Sequence, residues 1–458
     1  MQFVNHSLLP RLGVSQARSP RPLRLAPSRA RNVLIVSPYF PPSTLASVHR
    51  ARHLAKRLPE AGWTPIILCV DERRHGQPLD PSLAELVPQS IEVIKVGALP
   101  ATLTRWFGLG DVGLRAYGPL RAAIRRILAA RRIDAVLITG APFYPMMLAA
   151  AIDRAFNVPV VLDFQDPWAS DWGRAQPRFS KAGVSHRLAT WLEPQALKRA
   201  AFVTSVSSTQ NAALCARYSW LDAARMAAIP IGCDWDDFEA LRQTPEALKA
   251  VALDPAFINL SYVGAFMPRS VEPMRTLFRA FRRISRASPD LAARIRLNFV
   301  GTSNQPGDTA SFRARALAES ESVGESVREI PGRRPYLEAL GVLARSDGLL
   351  LIGSDEPHYA ASKIHPSLMS GTPYVSLFHR ASDAHHALCR LGGGETLSFD
   401  GQAELKGLEP ALSAALRRIA TAPGASRASV AEVDAQCGAS AVARRFAEVF
   451  DHVVESWT

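Results

Sequence analysis

Short apolar runs recur along the chain, each followed by a turn rich in polar, Pro or Gly residues and then by a stretch of helical spacing. The first set is NVLIVS (32–37), TPIILCV (64–70), IEVIKV (91–96), AVLIT (135–139), VPVVLDF (158–164) and AFVTSV (201–206). Strands that are apolar on both faces and alternate with helices predict a parallel sheet covered on both sides, hence a doubly wound α/β domain. After the first run the period changes. Ala51, Leu54, Ala55 and Leu58 share one helical face, with Arg50, His53, Lys56 and Arg57 among the others. The rhythm restarts near Pro230 with INLSYVG (258–264), RLNFVG (296–301), GLLLIG (348–353) and PYVSL (373–377), which predicts a second domain of the same kind. A final stripe of Val442, Phe446, Val449, Phe450, Val453 and Trp457 suits a terminal helix that crosses back onto the first domain. The expected division is a basic tail over 1–31, an N-terminal domain over 32–234, a C-terminal domain over 235–435 and a terminal helix over 436–458.

Composition narrows the class. At 458 residues, 47% hydrophobic and 21% charged, the chain is globular and long enough for two cores. No apolar stretch approaches the roughly 18 residues that span a bilayer. The five cysteines (Cys69, Cys215, Cys233, Cys389, Cys437) form no CxxC pair, so neither a disulfide framework nor a cysteine zinc site is expected, and a reducing cytoplasm fits. The net charge is +13, and residues 1–31 hold six arginines and no acid. That tail reads as a disordered extension, with the composition of a transit peptide or of a misplaced start. The remaining positive charge predicts anionic partners, and no nucleic-acid reading module accompanies it. The segment 103–132 mixes Trp106, Phe107 and Tyr117 with seven arginines. It suits either an amphipathic helix packed on the sheet or a peripheral contact with anionic lipid.

In open parallel sheets ligands bind beyond the carboxyl ends of the strands, so two such domains face each other across a cleft. After INLSYVG, Gly264 permits a close backbone approach, and Arg269 and Ser270 open a helix, where free N–H groups and a guanidinium suit phosphate. After GLLLIG come Glu356 and His358, then Ser362, Lys363 and Ile364 at the start of a helix ending near Gly371. Lys363 is the only lysine between residues 250 and 405, and a compact ammonium at that place suits a diphosphate. Asp234, Trp235 and Asp236 spell a D-x-D, but their place before DFEALRQ favours helix capping over a metal site. The histidines crowded into 358–386 lack zinc spacing; His358 and His365, which flank Lys363, could hydrogen-bond phosphate or sugar.

These segments together resemble a GT-B glycosyltransferase of the family 4, or group 1, type. SPYFPPS…RARHLAKRLPEAGW resembles that family's first strand, loop and helix, and LDFQDPW (162–168) its D-F-x-D-P-W segment. SVSS (205–208) with IPIGCDWDDF (229–238) resembles the crossover between domains. YVGAF…RS and SKIHPSLMSGTPYV resemble the donor phosphate loop and the K-L-x-E-Y-L-x-x-G-x-P-V segment. The likeness covers roughly residues 32–456 in order. It implies a retaining, metal-independent transferase without a cofactor, taking a nucleotide diphosphate-sugar on the C-terminal domain and a glycan or lipid-linked acceptor on the N-terminal domain. In that reading Asp166, Arg269 and Lys363 are catalytic. Gly264, Ser270, Glu356, His358, Ser362 and Ile364 join Arg269 and Lys363 around the donor, while Ser43, Thr44, Arg50 and Asp163 line the acceptor side with Asp166. Asp163 is expected to hold its loop through backbone hydrogen bonds. Pro366 stands where the family places the second of two glutamates, which holds the donor ribose. A GT-B sugar-nucleotide epimerase and a catalytically silent binding subunit are the alternatives; a dehydrogenase is disfavoured because no G-x-G-x-x-G follows NVLIVS.

Overall fold

The computed structural model describes residues 31–104, 110–303, 311–357, 362–422 and 427–457. Of the basic tail only Arg31 lies among them, and it opens a strand rather than ending the tail. Strands β1 (Arg31–Val36), β2 (Trp63–Val70), β3 (Glu92–Val96), β4 (Ala135–Gly140), β5 (Val160–Phe164), β6 (Phe202–Ser205) and β7 (Met226–Ala228) form one sheet in the order β3-β2-β1-β4-β5-β6-β7. Strands β8 (Ile258–Val263), β9 (Ile295–Val300), β10 (Val327–Ile330), β11 (Gly348–Ile352), β12 (Tyr374–His379) and β13 (Gly394–Phe399) form a second, ordered β10-β9-β8-β11-β12-β13. Every pairing between these strands is parallel.

The unbroken apolar runs have a direct cause in this layering. In β1, Leu34 and Val36 join the core on one face of the sheet and Val33 and Ile35 the core on the other. In β11, Leu350 and Ile352 divide from Leu349 and Leu351 in the same way. Each strand alternates sides, and both sides are covered by helices. These are two Rossmann-like domains of the GT-B fold.

The terminal helix, Ala439–Trp457, packs on the first domain. Its Val442, Phe446, Val449, Phe450 and Val453 share a core with Val33, Ile35, Trp63 and Leu137. Trp63 meets the Phe450 ring edge-on at 5.2 Å and donates its indole N–H to Asp451 at 3.1 Å. The chain therefore crosses between domains twice, and the crossings lie side by side: Cys233 N–H donates to the Cys437 carbonyl at 3.1 Å. Gly232, at φ +79°, makes this contact feasible, because a Cβ there would sit 2.6 Å from that carbonyl oxygen.

The helix Val48–Arg57 buries more than its predicted apolar face. Arg50, Arg52 and His53 are buried as well, because this helix is wedged at the domain junction. Arg52 forms a two-pronged ion pair with Asp237 at 2.7 and 2.6 Å, and Tyr336 donates to the same carboxylate at 2.9 Å.

Candidate functional site

A cleft of about 700 Å³ separates the domains at the carboxyl ends of their strands. The first domain contributes Thr44, His49 and Asp166 to its walls, and the second contributes Gly264, Arg333 and Lys363. Lys363 immediately precedes the helix Ile364–Met369, whose left-handed Gly371 (φ +68°) follows one residue past the cap. Its Nζ lies 3.6 Å from the centre of the Tyr262 ring and has no hydrogen-bond partner among the described residues. Burial lowers its pKa to about 7. Gly264 fits against it for two reasons: φ is +125°, and a Cβ would come within 3.3 Å of Lys363 Cδ. An unpaired ammonium above an aromatic face, beside a helix start, is a poised anion site.

Asp166 follows β5 and is open to water within the cleft, yet protein mass surrounds it. That desolvation, and secondarily the charge of Glu356, raise its pKa to about 6. His49 also faces the cleft and packs against Tyr336 at 4.6 Å between ring centres. Burial first, then Arg52, hold its pKa well below the usual value, so it is a neutral imidazole.

The other residues singled out by the sequence divide sharply. Ser362 lines the cleft with Lys363, while Ser270 is buried and Ile364, also buried, borders a neighbouring cavity. Arg269 is not at the cleft wall. It is held by Asp355 (Nε–Oδ1, 2.6 Å) and Glu356 (Nη1–Oε1, 3.1 Å), so Arg269 and Glu356 tie the loops after β8 and β11 together. His358 lies outside the described residues. On the acceptor side Thr44 lines the cleft, but Ser43 is fully buried.

Arg50 and Asp163 are fully buried and paired with each other at 3.1 Å. Arg50 also donates to the carbonyls of Ile229 and Pro230. Asp163 is held not by backbone groups but by Thr139, Thr204 and Arg50 side chains, at 2.9, 2.8 and 3.1 Å. Both residues brace the junction and are shielded from any acceptor. His365 faces a separate cavity of about 500 Å³ with Arg390 and Arg445, not the cleft. Asp234 caps its helix, accepting from Asp236 N–H at 3.1 Å, and pairs with Lys56 and Arg57. Among the described residues no cluster of His, Cys, Asp or Glu could hold a metal ion.

Arg333 was not legible beforehand. It follows β10, donates to the Thr44 carbonyl across the cleft, and has no carboxylate partner among the described residues. Burial lowers its pKa from the ordinary arginine value. One arginine among many gives no signal, and the strand that presents it is short and charged. In the segment 103–132, the helix Tyr117–Ala130 buries Leu120, Ile124 and Ile127 and turns Arg121, Arg125 and Arg126 outward; Trp106 and Phe107 lie outside the described residues. No described helix is long and apolar enough to cross a membrane.

Comparison with known proteins agrees with this fold. Residues 47–232 match the family described as glycosyl transferase 4-like domain. The fold is similar to that of Anabaena HepE, solved with UDP and glucose: TM-score 0.57 at 16% identity, over 92% of this chain and 100% of that one. A glycosyltransferase from Rickettsia africae gives 0.57 at 15%, over 93% and 99%. The UDP-GlcNAc 2-epimerase from Methanocaldococcus jannaschii gives 0.52 at 11%, over 92% and 99%. No curated protein matches the sequence.

Proposed function

The chain has the GT-B fold and carries a glycosyl transferase 4-like domain over residues 47–232, and from that premise we propose that it transfers a sugar from a nucleotide diphosphate-sugar to a glycan or lipid-linked acceptor. The transfer would retain anomeric configuration and serve cell-surface polysaccharide or glycoconjugate synthesis at the cytoplasmic face of the membrane. The observation that carries this reading is the Lys363 ammonium at the cleft, without a hydrogen-bond partner among the described residues and backed by Tyr262 and by a glycine that lets it approach. As the glycosidic bond breaks, negative charge gathers on the leaving diphosphate. A preorganised cation stabilises that charge more than it stabilises the intact donor, and it does so without a metal. Arg333 supplies a second cation on the same cleft. Asp166, ionised above pH 6, would accept the proton of the acceptor hydroxyl or orient it. Arg269 would act indirectly, through the loop it holds to Asp355 and Glu356.

Pro366 lines the cleft where the resembled family carries a ribose-binding glutamate, which favours one other reading: a subunit that binds nucleotide without transferring sugar. Calorimetric titration with a panel of nucleoside diphosphates, followed by assay of UDP-sugar turnover, separates the two. Transfer activity lost in Lys363→Ala supports the enzyme. Binding without turnover of any donor supports the silent subunit, and no binding to any diphosphate defeats both.

A further inference from the structure

The outward face of the helix Lys181–Leu197 has the wrong polarity for a surface that meets only water. Ala189, Glu193, Ala196 and Leu197 point into the first domain, as one face of a helix should. The opposite face carries Val184, Leu188 and Trp191 at i, i+4 and i+7, all exposed, Trp191 by 64%. Phe179, just before the helix, is 85% exposed and lies under the Arg187 guanidinium, 5.8 Å from its ring centre. At the far end Lys198 sits 5.3 Å from the ring centre of exposed Trp220. The stripe runs about 10 Å along a helix about 25 Å long, with Phe179 and Trp220 beyond its ends.

Its charge is one-sided. No acidic residue occurs between Asp171 and Glu193, and Glu193 is fully buried, its carboxylate held by Arg217, Tyr218 and Ala169 N–H. Arg178, Lys181, Arg187 and Lys198 are exposed, and among the described residues none pairs with a carboxylate. Exposed aromatic and aliphatic side chains interleaved with unpaired cations fit an acidic lipid surface: the rings enter the headgroup region while the cations meet phosphate. The outward face of Tyr117–Ala130, by contrast, offers Arg121, Arg125 and Arg126 with the apolar stripe turned inward.

We propose that the face formed by Phe179, Val184, Leu188 and Trp191, with Arg178, Lys181 and Arg187, docks on an anionic lipid bilayer. Glu193 fastens this helix to Ala169, in the loop that carries Asp166, so docking would set the cleft beside the membrane surface. That consequence rests on the transferase reading; the docking itself does not.

Vesicle co-sedimentation of the full chain tests it, with phosphatidylcholine containing a third phosphatidylglycerol against phosphatidylcholine alone. The expected result is binding to the anionic vesicles with a blue shift of tryptophan emission. Leu188→Glu/Trp191→Glu should weaken that binding at least tenfold, while melting temperature and UDP titration stay as in the wild type. Arg121→Glu/Arg125→Glu/Arg126→Glu should stay within twofold of wild type. Absence of wild-type binding, equal binding by Leu188→Glu/Trp191→Glu, or a loss confined to the triple arginine variant would each overturn the proposal. So would a self-associated wild type that Leu188→Glu/Trp191→Glu makes monomeric without any vesicle binding, since a second copy would then be the occupant. The UDP titration on the same samples reports the donor site separately, so failure of one reading does not mask the other.

Discussion

Lys363 should make diphosphate binding a proton-linked event. With a free-state pKa near 7, the amine is half charged at pH 7 and only about 3% charged at pH 8.5. Only the charged form is competent to pair with the diphosphate, and the apparent dissociation constant scales inversely with the competent fraction. A bound diphosphate raises the ammonium pKa and keeps the amine charged across this range, so UDP affinity should fall roughly 16-fold between pH 7 and pH 8.5. The terminal phosphate of UDP has lost its last proton by then, its second pKa being about 6, and adds no slope. Titration at the higher pH in two buffers of different ionisation heat should show about one proton taken up per UDP. Lys363→Met keeps an apolar stem over Tyr262 but removes the titrating group; it should bind more weakly by about 1.5–3 kcal/mol at pH 7 and lose the pH slope. An affinity that changes less than twofold across this range, or an identical slope in Lys363→Met, would refute the assignment.

Other outcomes follow from the same geometry. In a transfer assay, kcat/KM should decline below about pH 6 as Asp166 takes up a proton, and Glu356→Gln should move that limb to lower pH by removing a neighbouring negative charge. Gly264→Ala forces an L-residue into φ +125° against Lys363, so denaturant unfolding should show a loss of about 1–3 kcal/mol together with weakened UDP binding. Asp237→Ala strands the fully buried Arg52 charge and should cost about 3–5 kcal/mol in the same unfolding assay, with little change if the pair were solvated. Phe450→Ala, beneath Trp63, should destabilise by about 3–5 kcal/mol, read from the same curves.

The strands that the hydrophobic pattern revealed are the interior ones, along with β3. The three it passed over, β7, β10 and β13, all lie at sheet edges. An edge strand needs one neighbour and one covered face, so MAA, VREI and GETLSF can be short or charged and still pair. The site divided along a similar line. Gly264, Ser362, Lys363 and Asp166 follow interior strands whose ends were visible, and they do line the cleft. Arg50 and Asp163 bear charges that sequence reading assigns to a surface, because nothing local announces that each will meet the other inside the junction. Arg269 had a plausible place after a strand, but Asp355 and Glu356 are distant in sequence and their claim on it emerges only in three dimensions. Arg333 was hidden because it follows an unseen edge strand.

The paired crossings at Cys233 and Cys437 set how this molecule can be handled and how it can move. A contiguous fragment ending near residue 234 would leave the seat of Phe446 and Phe450 vacant, so the first lobe cannot be excised by truncation; a circular permutant that joins the terminal helix to β1 is the connectivity that would isolate it intact. In motion, two adjacent strands of chain act like a strap hinge along one edge. They resist shear and lateral separation while permitting rotation about their common line. Rotation about that line would have to break the contacts that join the lobes elsewhere, among them Thr44 with Arg333, Asp80 with Tyr336 and Ser208 with Asp383.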